Sequence, residues 1–417
     1  MTRKDSRRVA VTGVGIVSPY GGDMQDFFSR TMDGESSIGW YRHPNVSPEV
    51  EQPAALCRDF DSQTVLGRQI SAVTDRFAQL GISAAFSAWR DAGFARNEVS
   101  DNPFCVSWGT GIGGTLTIEA GYVDYYTLGK KRASPLSVPM AMNNAPASQI
   151  AISLGLGGAC LTYSVACASS TVAIGEAFRR IKAGETSVAI AGGSEAPLSF
   201  SVMRAWDGMR VVAECNEWTA SQACRPFHAR RSGLVLAEGA AALVLEDFEQ
   251  ARERGARIYC ELAGFGQSCD HAHLVRPDAG GQSRALRAAM AEADLQPADV
   301  GYVNAHAAGT REGDATEIAS LKSVFGDHAT NLLVSATKSM HGHSLGAAGA
   351  VEALVTVLAL HEDRIPPTAN LDEIGAECRG VRHVVGKGLV NGGIRAAISN
   401  SFAFGGSNAV LAFRAVG

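Results

Sequence analysis

The sequence predicts an α/β fold made of two similar halves. Short apolar runs typical of strands alternate along the chain with longer runs of helical periodicity. The front part of one helical run, residues 170–175, carries no charge, and another run, residues 346–360, carries one. A helix that is apolar on every side is expected to be buried between other elements. One such helix lies in each half of the chain, which predicts central helices packed between sheets.

The individual elements follow from the period of the apolar residues. The predicted strands are short apolar runs bounded by turn residues, at positions 8–17, 104–108, 187–191, 240–245, 258–265, 300–304, 332–335 and 396–399. The predicted helices have apolar residues three and four positions apart, at positions 75–92, 170–183, 247–254, 281–293, 314–325 and 346–360.

Two further segments support an internal repeat. Residues 232–246 and 401–413 each consist of an apolar run, a glycine-containing turn and a second apolar run. The charged segment 249–257 lies between the two halves and predicts their boundary. We therefore expect one half at residues 1–255, which contains Cys167, and the other at residues 256–417, which contains His306 and His343.

The composition narrows the classes of function. The chain has 417 residues, of which 46% are hydrophobic, and a net charge of −5. These values allow a large core and give no sign of binding to nucleic acid or to an anionic membrane. Nine scattered cysteines without a CxxC pair support neither a zinc site nor a disulfide framework. The longest apolar stretch, 345–360, is shorter than the roughly 20 residues of a membrane span. We expect a soluble cytoplasmic protein.

Cys167 is the first candidate for catalysis. It follows a strand-like run and precedes the uncharged helix, within Tyr-Ser-Val-Ala-Cys-Ala-Ser-Ser at 163–170. A helix N-terminus stabilises a thiolate through its unpaired N–H groups and its dipole. The pattern predicts a cysteine nucleophile, although a buried and unreactive cysteine fits the same residues equally well.

Two histidines fall where open α/β sheets place their sites. His306 follows a predicted strand and opens a loop, and His343 precedes the second uncharged helix, in Lys-Ser-Met-His-Gly-His at 338–343. Both lie among small residues at the edge between a strand and a loop. A single histidine is more often structural than catalytic, so the positions alone do not decide the function.

Four segments together carry a resemblance to a known family. Residues 164–170, 303–306, 337–352 and 399–406 resemble the β-ketoacyl-acyl-carrier-protein synthases of the elongating Cys-His-His type. The motifs occur in order, with matching internal spacing, and extend over essentially the whole chain. The resemblance implies the thiolase fold, with two halves in five α-β-α-β-α layers, and a tightly associated dimer.

The resemblance also implies a reaction. An acyl group carried on the phosphopantetheine of an acyl carrier protein is transferred to Cys167. It then condenses with malonyl-carrier thioester as carbon dioxide is lost. His306 and His343, as neutral imidazoles, would donate hydrogen bonds to the enolate. The backbone N–H groups of Cys167 and Phe404 would form the oxyanion hole, and Phe404 would gate the site. No bound cofactor and no metal are expected.

The resemblance assigns supporting positions as well. Lys338 would support the geometry of the histidines, and Glu352, the one charge on its helix, is its candidate partner. The other positions that the resemblance assigns are the acyl pocket at Ile112, the phosphopantetheine contact at Thr310, and carrier docking at Lys131, Arg132 and Arg210.

Several positions depart from the family pattern. Ala308 and Val275 stand where threonines usually bind the phosphopantetheine arm, and only Thr310 remains. His228 replaces an aspartate, and Ala403 replaces a glycine. None of these changes removes a catalytic group. They favour a specialised synthase for polyketides, polyenes or modified acyl chains over ordinary fatty-acid elongation, and the pathway stays open.

Competing interpretations explain less of the sequence. A degradative thiolase usually carries a second cysteine near its last hairpin, where this chain has Phe402 and Phe404. A chain-length factor typically lacks the nucleophile. A nucleotide-binding turn at 12–15 is followed by Ser18 and Pro19 instead of the remaining glycine fingerprint. An alternative that stays open is the catalytic subunit of a heterodimer with a Cys-less chain-length factor.

Overall fold

The computed structural model describes residues 7–44, 49–95 and 103–416. Within these residues the main element is a continuous sheet of eleven strands, accompanied by a three-stranded and a two-stranded sheet. The strands are β1 (Val9–Val17), β2 (Gly39–Arg42), β3 (Glu51–Ala55), β4 (Cys105–Gly109), β5 (Cys160–Tyr163), β6 (Val188–Glu195), β7 (Leu236–Ala237), β8 (Gly239–Asp247), β9 (Cys260–Cys269), β10 (Tyr302–Asn304), β11 (Leu333–Ser335), β12 (Arg364–Ile365), β13 (Arg382–His383), β14 (Leu389–Val390), β15 (Ala396–Ala403) and β16 (Ser407–Arg414).

The helices lie on both faces of this sheet. Asp75 caps the longest of them, because its carboxylate accepts a hydrogen bond from the N–H of Phe77. The helices are α1 (Met24–Met32), α2 (Ser62–Leu66), α3 (Arg68–Ser71), α4 (Arg76–Asp91), α5 (Thr115–Tyr122), α6 (Ser137–Ala141), α7 (Ala145–Leu154), α8 (Ser169–Ala183), α9 (Phe200–Gly208), α10 (Phe248–Glu253), α11 (Ala279–Glu292), α12 (Arg311–Phe325), α13 (Lys338–His341) and α14 (Ala348–Glu362).

The order of the strands confirms the predicted duplication. In the first half the order is β5-β4-β6-β8-β1, and in the second half it is β11-β10-β15-β16-β9, with the two-residue strand β13 added at the edge beside β11. When the five shared strands of each half are numbered along the chain, both halves have the order third, second, fourth, fifth, first. The two sheets join where β1 pairs with β9 in antiparallel fashion.

The helices complete five layers. α4 packs against β1, β6 and β8, and α11 packs against β9 and β16, so these two helices cover the outer faces. α8 and α14 contact each other and both sheets, so they form the middle layer. The resulting order is α-β-α-β-α, as the sequence predicted for the two uncharged helices.

Glycine pairs in the first strand of each half let the outer helices approach closely. A Cβ on Gly13 would lie 2.3 Å from the carbonyl oxygen of Ala88 in α4. A Cβ on Gly264 would lie 2.3 Å from the carbonyl oxygen of Ala289 in α11. Because only glycine allows such backbone contact, the same device positions an outer helix in both halves.

Each central helix is entered through the same kind of turn. Ala166 has φ 46° and lies three residues before the first residue of α8, and Leu345 has φ 43° and lies three residues before the first residue of α14. Non-glycine residues with positive φ are uncommon. The next residue is Cys167 in the first turn and Gly346 in the second.

The predicted hairpin at 232–246 differs from the structure. β7 pairs with β3 in the small sheet, whereas β8 pairs with β6 and β1 in the large one. The counterpart of the β15–β16 hairpin is therefore the pair of β6 and β8. Residues 196–238 lie between these two strands, so the local pattern alone does not show which strands pair.

The longest apolar segment of the chain forms a core helix. Among the described residues, Leu345–Glu362 is the one helical segment that is long and apolar enough to cross a membrane. However, 89% of this segment is buried inside the protein. Its apolar residues pack between the two sheets.

Candidate active site

Cys167 lies at the tight turn that leads into α8. The hydroxyl of Ser169 accepts a hydrogen bond from the N–H of Val165 at 2.8 Å and donates one to the carbonyl oxygen of Ala166 at 2.6 Å. These bonds hold Ala166 in its left-handed conformation and expose the next residue to the site. Cys167 is 7% exposed, and its position between strand and helix is the one that the sequence predicted.

The resting state of the thiol differs from the sequence-based expectation of a thiolate. Burial raises the pKa of Cys167 to about 12, although the ammonium group of Lys338 lowers it. Desolvation therefore outweighs the helix N-terminus and the nearby charge. The thiol is neutral at pH 7, and its Sγ lies 3.1 Å from Nε2 of His343, which can accept the proton.

Lys338 determines the protonation pattern of His306. The Nζ of Lys338 lies 3.3 Å from Nδ1 of His306 and donates to the carbonyl oxygen of the same residue at 2.6 Å. An ammonium group only donates, so Nδ1 has to be the acceptor. The proton of the neutral ring is then on Nε2, where it is available as a donor.

The predicted pairing of Lys338 with Glu352 is present. Both side chains are fully buried, and Nζ of Lys338 contacts Oε1 of Glu352. Burial raises the pKa of Glu352 to about 7, while the charge of Lys338 lowers it. Breaking such a buried pair on one side is strongly destabilising.

The three candidate catalytic groups converge. Single ligand atoms of Cys167, His306 and His343 all lie within 4.8 Å of one another. The two imidazole rings are 5.4 Å apart and nearly perpendicular, with an interplanar angle of 80°. Burial, and next the charge of Lys338, holds the pKa of both histidines well below the usual value. Both rings are therefore neutral at physiological pH.

The ligand atoms of Cys167, His306 and His343 are also close enough together to bind a metal ion. The ammonium group of Lys338 lies 3.3 Å from the ring of His306, and this positive charge opposes the binding of a second cation. The donor set therefore fits hydrogen bonding to a developing anion better than it fits a metal ion.

A cavity of about 610 Å³ connects these groups to the surface. Cys167, His306 and His343 lie on its wall, and exposed residues form its rim. Of the positions that the sequence analysis singled out, the cavity is also lined by Arg210, Val275, Ala308, Thr310 and Phe404.

Five predicted positions do not line this cavity in the described part of the chain: Lys338 and Glu352, which lie behind His306, and three others, Ile112, Lys131 and Arg132. Ile112 packs in an apolar cluster with Leu198 and Leu345, and its N–H points to Glu195. Lys131 and Arg132 are exposed in the segment that follows α5. The roles predicted for these three side chains stay predictions.

Phe404 lies on the cavity wall, in the turn after β15. Its ring stacks on Trp206 with a centroid distance of 5.9 Å. Gly405 and Gly406 follow with φ 85° and 73°, which favours glycine at both positions. Among the described residues, the backbone N–H groups of Cys167 and Phe404 donate to no protein acceptor, so both are available to a ligand.

Glu317 is a site residue that the sequence analysis missed. Its carboxylate accepts hydrogen bonds from the N–H of His306 at 2.9 Å, the N–H of Ala307 at 2.8 Å and Nδ2 of Asn400 at 2.9 Å. It therefore fixes the backbone that carries His306. The signal in the sequence was a carboxylate on the inner face of the predicted helix at 314–325.

Glu195 is a second carboxylate that the sequence analysis missed. It accepts hydrogen bonds from the N–H groups of Gly111 at 2.6 Å and Gly346 at 2.9 Å and from the hydroxyl of Thr110 at 2.9 Å. Burial raises its pKa to about 7. It links the end of β6 to the turn before α14, and so ties the two halves together beside Cys167.

Arg231 organises the loop around Thr310. Its guanidinium group donates to the carbonyl oxygens of Thr310 at 3.1 Å, Arg311 at 2.7 Å and His228 at 3.0 Å. Nε2 of His228 lies 2.7 Å from Oδ1 of Asp372. His228, which departs from the family pattern, is thus part of the scaffold behind the cavity and does not line it.

Comparisons with known proteins agree on one family. The description "Beta-ketoacyl synthase, N-terminal domain" matches residues 6–251, and "Beta-ketoacyl synthase, C-terminal domain" matches residues 259–372. Nodulation protein E of Rhizobium sp. (strain N33) is 40% identical over 98% of this chain and 100% of its own length. The 3-oxoacyl-[acyl-carrier-protein] synthase 2 of Synechocystis sp. is 37% identical over 99% of both chains.

Solved ketosynthase structures have the same fold. The ishigamide ketosynthase/chain length factor superposes with a TM-score of 0.91 and 29% identity, over 99% of this chain and 100% of that one. A type II PKS acyl-carrier protein in complex with its ketosynthase gives a TM-score of 0.89 and 26% identity, with the same coverage.

Proposed function

The chain belongs to the β-ketoacyl synthase family, a family of condensing acyltransferases with the thiolase fold, and on this premise we propose which residues carry out its reaction. The reaction is the decarboxylative condensation of an acyl group with a malonyl thioester, as in fatty-acid and type II polyketide synthesis. The observation that carries the assignment is the convergence of Cys167, His306 and His343 within 4.8 Å at the buried end of one cavity.

Acyl transfer begins at the neutral thiol. His343 Nε2, 3.1 Å from Sγ, accepts the proton of Cys167 as the sulfur attacks the carbonyl carbon of the incoming thioester. The oxyanion accepts hydrogen bonds from the free N–H groups of Cys167 and Phe404. The carrier thiol then leaves with the proton from His343, and the acyl group stays on Cys167 as a thioester.

Condensation follows when a malonyl thioester enters the cavity. Loss of carbon dioxide leaves an electron pair on the α-carbon and a developing negative charge on the thioester oxygen. His306 and His343 donate hydrogen bonds to this oxygen through Nε2–H. The carbanion attacks the acyl carbon on Cys167, the C–S bond breaks, and the released thiolate takes up one proton from the solvent, which balances the loss of the malonyl carboxylate as carbon dioxide. The product is a β-ketoacyl thioester with two more carbons.

His343 differs from His306 in the freedom of its protons. In the described part of the chain, Nδ1 of His343 has no hydrogen-bond partner, whereas Lys338 fixes the tautomer of His306. His343 can therefore hold its proton on Nδ1 in the first half-reaction, when Nε2 accepts the proton of Cys167. It changes to the other neutral tautomer before the second, when Nε2–H donates. We assign Lys338 and Glu352 a positioning role behind His306.

The substrate carrier is an acyl carrier protein in this proposal. Arg210, Arg276 and Arg311 line the cavity and are exposed. Glu214 and Glu312 are also exposed on this lining, so the three arginines leave the rim with a small positive excess. Such an excess attracts acidic partners. Thr310 at the same wall offers a hydroxyl to the phosphopantetheine arm. Lys131 and Arg132 remain proposed docking residues, and Ile112 remains a proposed acyl-pocket residue. We expect no bound cofactor and a cytoplasmic location.

The cavity favours a specialised substrate. Ala308 and Val275 both line it, so the two positions without a hydroxyl are in the place where the arm passes. This supports a pathway for polyketides, polyenes or modified acyl chains. We retain residues 1–255 and 256–417 as the two proposed halves of the chain.

The assignment is tested by intact mass. The protein is incubated with a panel of acyl-carrier thioesters, then with malonyl-carrier, and both protein and product are weighed. We expect an acyl adduct on the wild type, none on Cys167→Ala, and a full adduct on Cys269→Ser, which removes an exposed free cysteine. An equal adduct on Cys167→Ala, or no adduct with the whole panel, would contradict the proposal.

We infer that a second subunit covers an exposed apolar face. Tyr122, Tyr126 and Val138 are 62%, 78% and 69% exposed, and the edge strand β5 of the first half exposes Leu161 as well. Patches of this kind mark protein interfaces. A homodimer is the first candidate and a heterodimer with a chain-length factor the second. Size-exclusion chromatography of the chain alone distinguishes them, because a monomeric or insoluble chain excludes the homodimer.

A further inference from the structure

Gln282 is a buried polar side chain on the wall of the catalytic cavity. It lies in the first turn of α11, is 1% exposed, and lines the same cavity as Cys167 and Phe404. In the described part of the chain its Oε1 has no hydrogen-bond partner. A buried acceptor without a donor is unfavourable, and such a group in a folded protein calls for a specific explanation.

The polar groups near Gln282 form hydrogen bonds with one another. Oδ1 of Asp270 accepts a hydrogen bond from Nδ2 of Asn408 at 2.6 Å, and Oδ2 accepts one from the N–H of Asp278 at 3.0 Å. Nδ2 of Asn408 also lies 3.3 Å from the carbonyl oxygen of Gly406. The hydrogen bonds of these groups are made among themselves, so in the described part of the chain no protein donor reaches Oε1 of Gln282.

We propose that Oε1 of Gln282 accepts a hydrogen bond from an amide N–H of the pantetheine arm when a thioester substrate lies in the cavity. This inference rests on the proposed function, since the arm has to pass through the cavity to bring the thioester to Cys167. The arm carries two amide groups, and each offers one N–H. Ala308 and Val275 give this cavity no hydroxyl, so a buried carboxamide is a polar contact that the arm can use.

The test compares thioesters that differ in their amides. The rate of acylation of Cys167 is measured by intact mass with acyl thioesters of pantetheine, of N-acetylcysteamine and of a simple alkyl thiol without an amide. In Gln282→Met, which keeps the length of the side chain and removes the acceptor, we expect acylation by the pantetheine thioester to be about five- to tenfold slower, the effect of one lost hydrogen bond. Acylation by the alkyl thioester should be unchanged.

N-acetylcysteamine identifies the amide. It retains only the amide nearest the sulfur, so an equal loss assigns the contact to that amide, and no loss assigns it to the outer one. The unfolding temperature of Gln282→Met should equal or exceed that of the wild type, because an unpaired buried acceptor has been removed. Gln250→Met, at an exposed position of α10, is the matched control.

Two results would overturn the inference. One is an unchanged rate with the pantetheine thioester, and the other is equal slowing with the amide-free thioester, which would indicate a general distortion of the cavity. If the proposed function itself were wrong, none of the three thioesters would acylate the wild type, and this result differs from both of the others.

Discussion

Replacing Lys338 by methionine tests the buried charge at the centre of the site. Lys338 is fully buried, and its Nζ contacts Glu352 and donates to the carbonyl oxygen of His306. Removing one partner of a buried ion pair costs about 3–5 kcal/mol. Unfolding entropy of about 2.1 cal/mol/K per residue gives about 0.9 kcal/mol/K for a chain of 417 residues. We therefore expect the unfolding temperature to fall by about 3–6 °C.

A double variant separates charge from packing. Lys338→Met combined with Glu352→Leu removes both charges and keeps the volume, and such replacements are often neutral or stabilising. Its unfolding temperature should return close to that of the wild type. The tautomer of His306 is no longer fixed in either variant, so carbon dioxide release from malonyl thioester should stay at least about tenfold lower in both.

The measurements are differential scanning fluorimetry, release of carbon dioxide, and acylation of Cys167 by intact mass. Acylation should fall less than carbon dioxide release, because the nucleophile and His343 remain in place. The reasoning is refuted if Lys338→Met unfolds at the wild-type temperature and releases carbon dioxide within twofold of the wild-type rate.

Three other predictions follow from the site. The rate of Cys167 alkylation by iodoacetamide should rise steadily from pH 6 to pH 10. The reason is that only the thiolate reacts, and burial raises the pKa of the thiol to about 12. A plateau near pH 8 would instead indicate a preformed thiolate. Val275→Thr and Ala308→Ser place hydroxyls on the cavity wall, and each should lower the KM for malonyl-carrier by about two- to tenfold; an unchanged KM in both would show that the arm does not pass there. Glu317→Gln removes the carboxylate that accepts hydrogen bonds from the N–H groups of His306 and Ala307. Carbon dioxide release should therefore slow about tenfold while acylation is preserved. Equal slowing of both half-reactions would contradict a role confined to His306.

Much of the fold and the chemistry was predictable from the sequence. The alternation of strands and helices and the two uncharged helices gave the layers, because an all-apolar helix has to be buried. His306 lies in the loop just after β10, where the period of apolar residues changes, so its position was visible. His343 instead follows the short helix α13, eight residues after the end of β11, and pairs with Leu236 in an isolated bridge, which the sequence did not show. The pairing of Lys338 and Glu352 was predictable because a buried carboxylate requires a partner.

Other features depend on contacts that local patterns do not contain. Glu195 accepts hydrogen bonds from residues 84 and 151 positions away in the chain, so its role is invisible in any short segment. The neutral state of Cys167 depends on how completely the surrounding layers exclude water, whereas the sequence showed only the helix that follows it. The pairing of β6 with β8 likewise depends on where residues 196–238 leave the sheet and return.

Because the turns before α8 and α14 match, the fold has two equivalent positions at which a side chain could be presented. Only the position of Cys167 has room for a side chain. A side chain at Gly346 would have its Cβ 2.1 Å from the backbone nitrogen of Gly111, so the neighbouring half occupies that space. A molecule with nearly twofold internal symmetry thereby keeps a single reaction centre, and its second copy of the turn contributes a histidine from just upstream instead of a competing nucleophile.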